Sequence, residues 1–121
     1  MSLEVVSTGQ WTHESIDQLI VPGAPHDAPL SVILQDLPQG AGPALHWHPY
    51  GETWVVIEGS IGFFDDRDTR EAGPGDVVYI PPRQPHGFRV LSPGRIKMVC
   101  IHQSGTPETN WLEPGEGPPE E

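Results

Sequence analysis

Turn signals recur about every 8 to 12 residues through most of this chain, and no other feature limits its fold as much. Short runs of β-branched and aromatic residues stand at 31–37 (SVILQDL), 52–59 (ETWVVIEG), 61–65 (IGFFD), 76–80 (DVVYI), 87–91 (GFRVL) and 95–101 (RIKMVCI). PQGAGP, Pro49-Tyr50-Gly51, Gly59-Ser60, PPRQP and Ser92-Pro93-Gly94 separate them or flank the run ALHWH at 44–48. The 15 prolines and 14 glycines behind these breaks leave no segment long enough for a helical bundle. An all-β, antiparallel sandwich or barrel is the expected architecture. Toward the N-terminus, Leu3 to Ser7 reads as an edge strand, THESIDQLI as one turn of helix and VPGAPHDAP as a loop.

At 121 residues the chain supports one core. That core is expected in a β-domain over 1–102. Residues 103–121 carry five acids, no base, four prolines and three glycines, so an acidic, disordered tail is expected there. Its apolar pair, Trp111-Leu112, is able to dock on the body or on a partner subunit. The formal charge of −11 opposes phosphate backbones and anionic lipid, which argues against nucleic acid and membrane as partners. A single cysteine, Cys100, permits no intrachain disulfide. Without a basic, apolar leader or a run of about 20 apolar residues, a cytoplasmic protein is the expectation. Free sheet edges and the outward-facing Val55 and Ile57 predict a homodimer.

The stretch LHWHPYGETWVVIEG, from Leu45 to Gly59, carries the chemistry. Alternation along a strand points His46 and His48 to one face, their Cα atoms about 6.5–7 Å apart, with Trp47 on the other. The same period groups Glu52, Trp54 and Val56. If Pro49 to Gly51 fold the second strand back beside the first, the Glu52 carboxylate lands near two imidazoles that can converge on one ion. A His-x-His pair also occurs as a surface feature or as hydrogen-bonded core groups, so the pair alone leaves the role open. Glu52, an acid opening an apolar strand, needs a cation or another partner if buried. His86 follows a strand and a rigid turn in GDVVYIPPRQPHGF.

Gly40-x5-His46-x-His48-x3-Glu52-x6-Gly59 matches the first signature of the cupin superfamily residue for residue. The second, G-x5-P-x-G-x2-H-x3-N, is met at Gly75, Pro81 and His86, while Arg83 replaces its second glycine and Val90 its asparagine. The chain thus resembles a small single-domain cupin. The resemblance implies a jelly-roll β-barrel (a double-stranded β-helix), with His46, His48, Glu52 and His86 binding one divalent transition metal ion in its mouth. Arg83 alters a turn that Pro82 and Pro85 are expected to define by fixing φ. Val90 removes a polar group that is not among the family's ligands.

Three neutral imidazoles and one carboxylate on a divalent ion leave about one positive charge and two open positions on a metal that prefers six ligands. Such a site attracts a small, anionic or oxygen-chelating compound. Iron, manganese, nickel, zinc and copper all suit the donor set. The resemblance favours a metal-dependent dioxygenase. A non-redox isomerase, lyase or polyketide cyclase is the alternative, with Glu58, His102 or Tyr50 as acid–base groups, and a non-catalytic binding module is the third reading. Tyr50, Trp54, Val56, Phe63, Phe88, Met98 and Cys100 are candidate pocket residues, and ordinary core filling is the competing role for the apolar ones. His102 is the candidate catalytic acid–base group. Arg83 and Arg89 are able to hold an anionic substrate, whereas His13 and His26 read as surface residues.

Overall fold

The structure is a computed structural model that describes residues 3–8 and 17–119. Ten strands run β1 (Gln18–Val21), β2 (Ser31–Leu37), β3 (His46–Trp47), β4 (Glu52–Glu58), β5 (Ile61–Phe64), β6 (Thr69–Ala72), β7 (Val77–Ile80), β8 (Gly87–Val90), β9 (Ile96–His102) and β10 (Asn110–Trp111). One turn of 3-10 helix, Ala24–His26, is the one helical element among the described residues. No helix there is long and apolar enough to cross a membrane.

Every pairing is antiparallel. A five-stranded sheet has the order β1-β2-β9-β4-β7, a three-stranded sheet the order β6-β5-β8, and β10 pairs with β3. Both larger sheets contribute inward faces to one core, an arrangement consistent with a jelly roll. Ile33, Trp54, Val56, Ile80, Ile96, Met98 and Cys100 come from the five-stranded sheet, and Ile61, Ala72, Phe88 and Val90 from the other. Trp54 joins the layers, edge-on to Phe88 and Phe63 with ring centroids 5.2 and 5.9 Å away.

The period-two pattern explains which residues reach the centre. On β9, Ile96, Met98, Cys100 and His102 are buried and alternate with half-buried neighbours. On β4, Glu52, Trp54 and Val56 do the same until the pairing with β9 slips between Val56 and Glu58, leaving Ile57 and Glu58 exposed. Gly59 ends β4 at φ +81°, where a Cβ would sit 2.8 Å from Ser92 Oγ and 3.0 Å from the Arg95 carbonyl oxygen. A side chain there meets both backbone strain and a clash.

Three local expectations change. Leu3 to Ser7 form no regular strand, and Leu3 and Val5 are exposed. Gln18 to Ile20, expected in a helical turn, belong to β1, because the edge of β2 offers ladder partners that four residues of helix cannot match. Residues 103–112, placed by composition in a disordered tail, lie on the body. Gln103 donates to the Gly51 carbonyl, Leu112 to that of Leu45, and Asn110 and Trp111 pair with Trp47 and His46. The ladder edge of β3 is what the composition does not reveal.

The two departures from the second signature take distinct forms. Arg83 has φ +68°, so it occupies the left-handed region that the signature fills with glycine; the flanking prolines do not remove that demand. Its amide donates to the His48 carbonyl at 2.8 Å, and its guanidinium lies 5.3 Å from the Trp47 ring centroid. Val90 is buried in the core opposite Ile61.

Candidate metal centre

His46 opens β3, His48 follows that strand, Glu52 opens β4, and His86 immediately precedes β8. An isolated antiparallel bridge joins His46 to His86. All four side chains are buried, and one donor atom from each lies within 4.8 Å of the others.

Backbone carbonyls set the chemistry of the three imidazoles. Nδ1 of His46 lies 2.7 Å from the Ala44 oxygen, Nδ1 of His48 2.5 Å from that of Glu108, and Nδ1 of His86 2.7 Å from that of Gln84. A carbonyl only accepts, so each Nδ1 carries a proton, and in the neutral ring the Nε2 lone pair turns inward. Glu52 divides its two oxygens. Oε2 accepts from Trp54 Nε1 at 2.7 Å and faces His102 Nε2 at 3.2 Å. Oε1 is 3.1 Å from Nε2 of both His48 and His86.

That last contact tests the fit. Nε2 of His48 is buried and makes no hydrogen bond despite its approach to Oε1. Lone pair opposes lone pair in the neutral tautomer, and a cation between them turns the repulsion into ligation. The buried His/Glu cluster fits a single metal ion, with donors that suit a divalent transition metal.

The surroundings prepare that charge distribution. Burial, reinforced by His86, lowers His46 to a pKa of about 4 and keeps its ring neutral. Burial alone would raise the Glu52 carboxyl, but the hydrogen bond from His102 holds it well below the usual carboxylate range. Burial and the nearby Glu52 push the Cys100 thiol well up, so it is no thiolate nucleophile.

His102 belongs to a relay of hydrogen bonds rather than standing free. Its Nδ1 is 2.6 Å from Tyr50 Oη, and that oxygen accepts from the Glu108 amide at 3.0 Å. With Nε2–H given to Glu52 Oε2, Nδ1 is left to accept from the tyrosine hydroxyl, whose one proton also faces the Glu108 carbonyl at 3.2 Å. The Tyr50 ring also stacks on His48, 10° from parallel at 5.1 Å between centroids. Burial raises the Tyr50 pKa.

A cavity of about 490 Å³ opens onto the cluster. Trp54, Phe88 and Cys100, three of the residues expected at a pocket, line it together with His102, the expected acid–base group, and Ile33 and Gln35. Val56 and Met98 lie in the core, and Phe63 packs against it. Arg83 sits on Trp47, and Arg89 donates to the carbonyls of Gly42 and Pro43, so neither is among the lining residues. Glu58 is exposed. His26 pairs with Glu4 at 3.2 Å, and His13 lies outside the described residues.

Gln35 and Glu108 went unrecognised in the sequence. Gln35 shares the inward phase of Ser31 and Ile33, a signal legible in SVILQDL. Glu108 acts on His48 through its carbonyl, and no side-chain identity announces that.

A family described as the cupin domain matches residues 33–102. An uncharacterized protein of Methanocaldococcus jannaschii is 31% identical over 65 residues, which is 53% of this chain and 52% of that protein. The chain thus spans about half the length of that curated relative. Among solved structures, Bacillus subtilis oxalate decarboxylase, with Mn(II) centres, aligns at TM-score 0.68 and 24% identity over 83% of this chain and 30% of that one. The polyketide cyclase RemF from Streptomyces resistomycificus aligns at TM-score 0.69 and 18% identity over 90% of this chain and 88% of that one. At these identities both structures are similar in fold alone.

Proposed function

The chain belongs to the cupin family, and on that premise we propose that it is a metal-dependent dioxygenase for a small, enolate-like compound that chelates through oxygen. His46, His48, Glu52 and His86 are the proposed ligands of one divalent ion in the mouth of a jelly-roll barrel. The observation that supports the metal in this reading is the buried, unbonded Nε2 of His48 opposite Glu52 Oε1. A bound ion supplies Lewis acidity and open positions for oxygen donors.

The chain's own residues have three tasks. The carbonyls of Ala44, Glu108 and Gln84 fix the imidazole tautomers. Trp54 and His102 occupy Oε2 of Glu52, which leaves Oε1 as the ligating oxygen. Ile33, Trp54 and Phe88 exclude water and strengthen electrostatic attraction for an anionic donor. Both ring nitrogens of His102 are engaged, so it serves as a positioning residue for Glu52. This arrangement favours chemistry at the ion over proton transfer by a free side chain. A homodimer in the cytoplasm belongs to the same reading; exposed Ile57, Val77 and Tyr79 on β4 and the edge strand β7 support the paired state.

The near end-to-end likeness to RemF favours one second reading, a non-redox cyclase, isomerase or lyase. In it, the Tyr50–His102 pair carries the proton. Metal analysis of protein purified without added salts, followed by oxygen uptake with catechols, flavonols and β-diketones, separates the two. Oxygen consumption with a redox-active metal supports the dioxygenase. Rearranged product without oxygen use supports the second reading, and metal-loaded protein inert toward oxygen across that set overturns the first.

A further inference from the structure

We propose that the cavity selects a monoanionic chelator with an apolar or aromatic body, rejects dianions such as dicarboxylates, and uses Gln35 to orient the far end of its ligand. The inference rests on the metal reading above and names the substrate class of the same site.

Charge is the first argument. A divalent ion with Glu52 and three neutral imidazoles carries about one positive charge, which one anionic donor group neutralises. A second negative charge needs another cation, and no Lys or Arg is among the described residues that line the cavity. Arg89, near the rim at Gly42 and Pro43, points its guanidinium into their carbonyls. Asp17 lines the opening, and the formal charge of −11 adds to the repulsion of a dianion. A buried, uncompensated charge beside Ile33, Trp54 and Phe88 is strongly disfavoured.

The wall supplies the second argument. Gln35 is only 6% exposed, points inward from β2 and lines the cavity. Its amide has two N–H donors and a carbonyl acceptor, and the Cys100 thiol lies within its reach. A sulfur contact satisfies little of that capacity, whereas a neutral carbonyl or hydroxyl of a bound compound satisfies more. An uncharged amide on a wall shared with Ile33, Trp54 and Phe88 reads a neutral polar group, not a second carboxylate.

Benzoylacetone and phenylmalonate test this directly. Both carry a phenyl ring and chelate through a six-membered ring, but they differ by one charge as ligands. Titration of Co(II)-loaded protein, followed by the visible spectrum of the ion, is expected to show benzoylacetone binding at least about tenfold tighter. Gln35→Leu should weaken 1-(4-hydroxyphenyl)butane-1,3-dione, which keeps a free hydroxyl at its far end, by about tenfold and leave benzoylacetone, whose two oxygens both chelate, unchanged. Gln35→Arg should strengthen phenylmalonate. Metal stoichiometry and thermal midpoint confirm that each variant is folded, and the wild-type comparison stands without them. Phenylmalonate binding as tightly as benzoylacetone overturns the charge selection alone, and an unchanged affinity of folded Gln35→Leu for the hydroxyphenyl dione overturns the role of Gln35. Failure of the protein to take up Co(II) overturns both this inference and the metal reading.

Discussion

His46 and His86 hold each other across a two-way backbone bridge: each amide donates to the other's carbonyl, at 3.0 and 2.9 Å. Their ring centroids are 4.3 Å apart. The bridge joins the two signature segments into one centre, so ligands distant in sequence are fixed by main-chain bonds before any ion arrives. Such preorganisation reduces the ordering cost of binding.

Replacing His48 with alanine removes the imidazole that faces Glu52 Oε1. The variant should lose its metal on purification and melt at a lower temperature than the loaded wild type, with its association state unchanged. Elemental analysis and size-exclusion chromatography check this; full metal retention would refute the ligand assignment.

Tyr50→Phe keeps the ring that stacks on His48 and deletes the hydroxyl between His102 and the Glu108 amide. Loss of such an outer hydrogen bond is expected to weaken metal affinity by about tenfold, measured against a competing chelator. Wild-type affinity in this variant would limit the tyrosine to packing.

The segment after β9 completes the centre. Ending the chain after Thr106 removes the Glu108 carbonyl from His48 and Trp111 from the backbone of His46. Metal affinity should fall roughly 10- to 100-fold, whereas a chain ending after Leu112 should retain it. Equal affinities for the two truncations would exclude a part for residues 107–112.

Protonation sets a pH limit. His46 is lowered from its ordinary value near 6.5 to about 4, so between those values the unfolded chain binds the proton more readily than the folded one. Its contribution is complete above pH 6.5 and is lost as the pH falls toward 4. The metal-free protein should therefore melt progressively lower across this interval, and His46→Gln should flatten the dependence. A midpoint as steep in that variant as in wild type would assign the effect to other groups.

Arg83 holds a left-handed conformation for which glycine pays no steric cost. Arg83→Ala removes the contact with Trp47 and keeps the strain, while Arg83→Gly removes both. The glycine variant should be the more stable of the two by about 1 kcal/mol in denaturant unfolding. An alanine variant of equal or greater stability would show that the turn relaxes.

The legibility of the site follows from the range over which each residue acts. The inward phase of β4 and β9 is local, so Glu52, Trp54, Cys100 and His102 could be placed on interior faces from alternation alone. Phase says nothing about depth along a strand, which is why Val56 and Met98 share it and still belong to the core. Gln18 to Ile20 read locally as helix because the partner that makes them a strand, Ile33 to Gln35, lies beyond any local window.

The spacing of histidines, glutamate and glycines determined by itself the family, the all-β architecture and four side chains able to meet an ion, because strand alternation and turn chemistry act between near neighbours in the chain. Tertiary structure alone decided which imidazole nitrogens face inward, which oxygen of Glu52 faces His48 and His86, and that residues 103–112 fold back onto the site. Those outcomes depend on carbonyls, hydroxyls and ladder edges supplied by distant segments, and hydrogen-bond partners of that kind are assigned only when the chain has closed on itself.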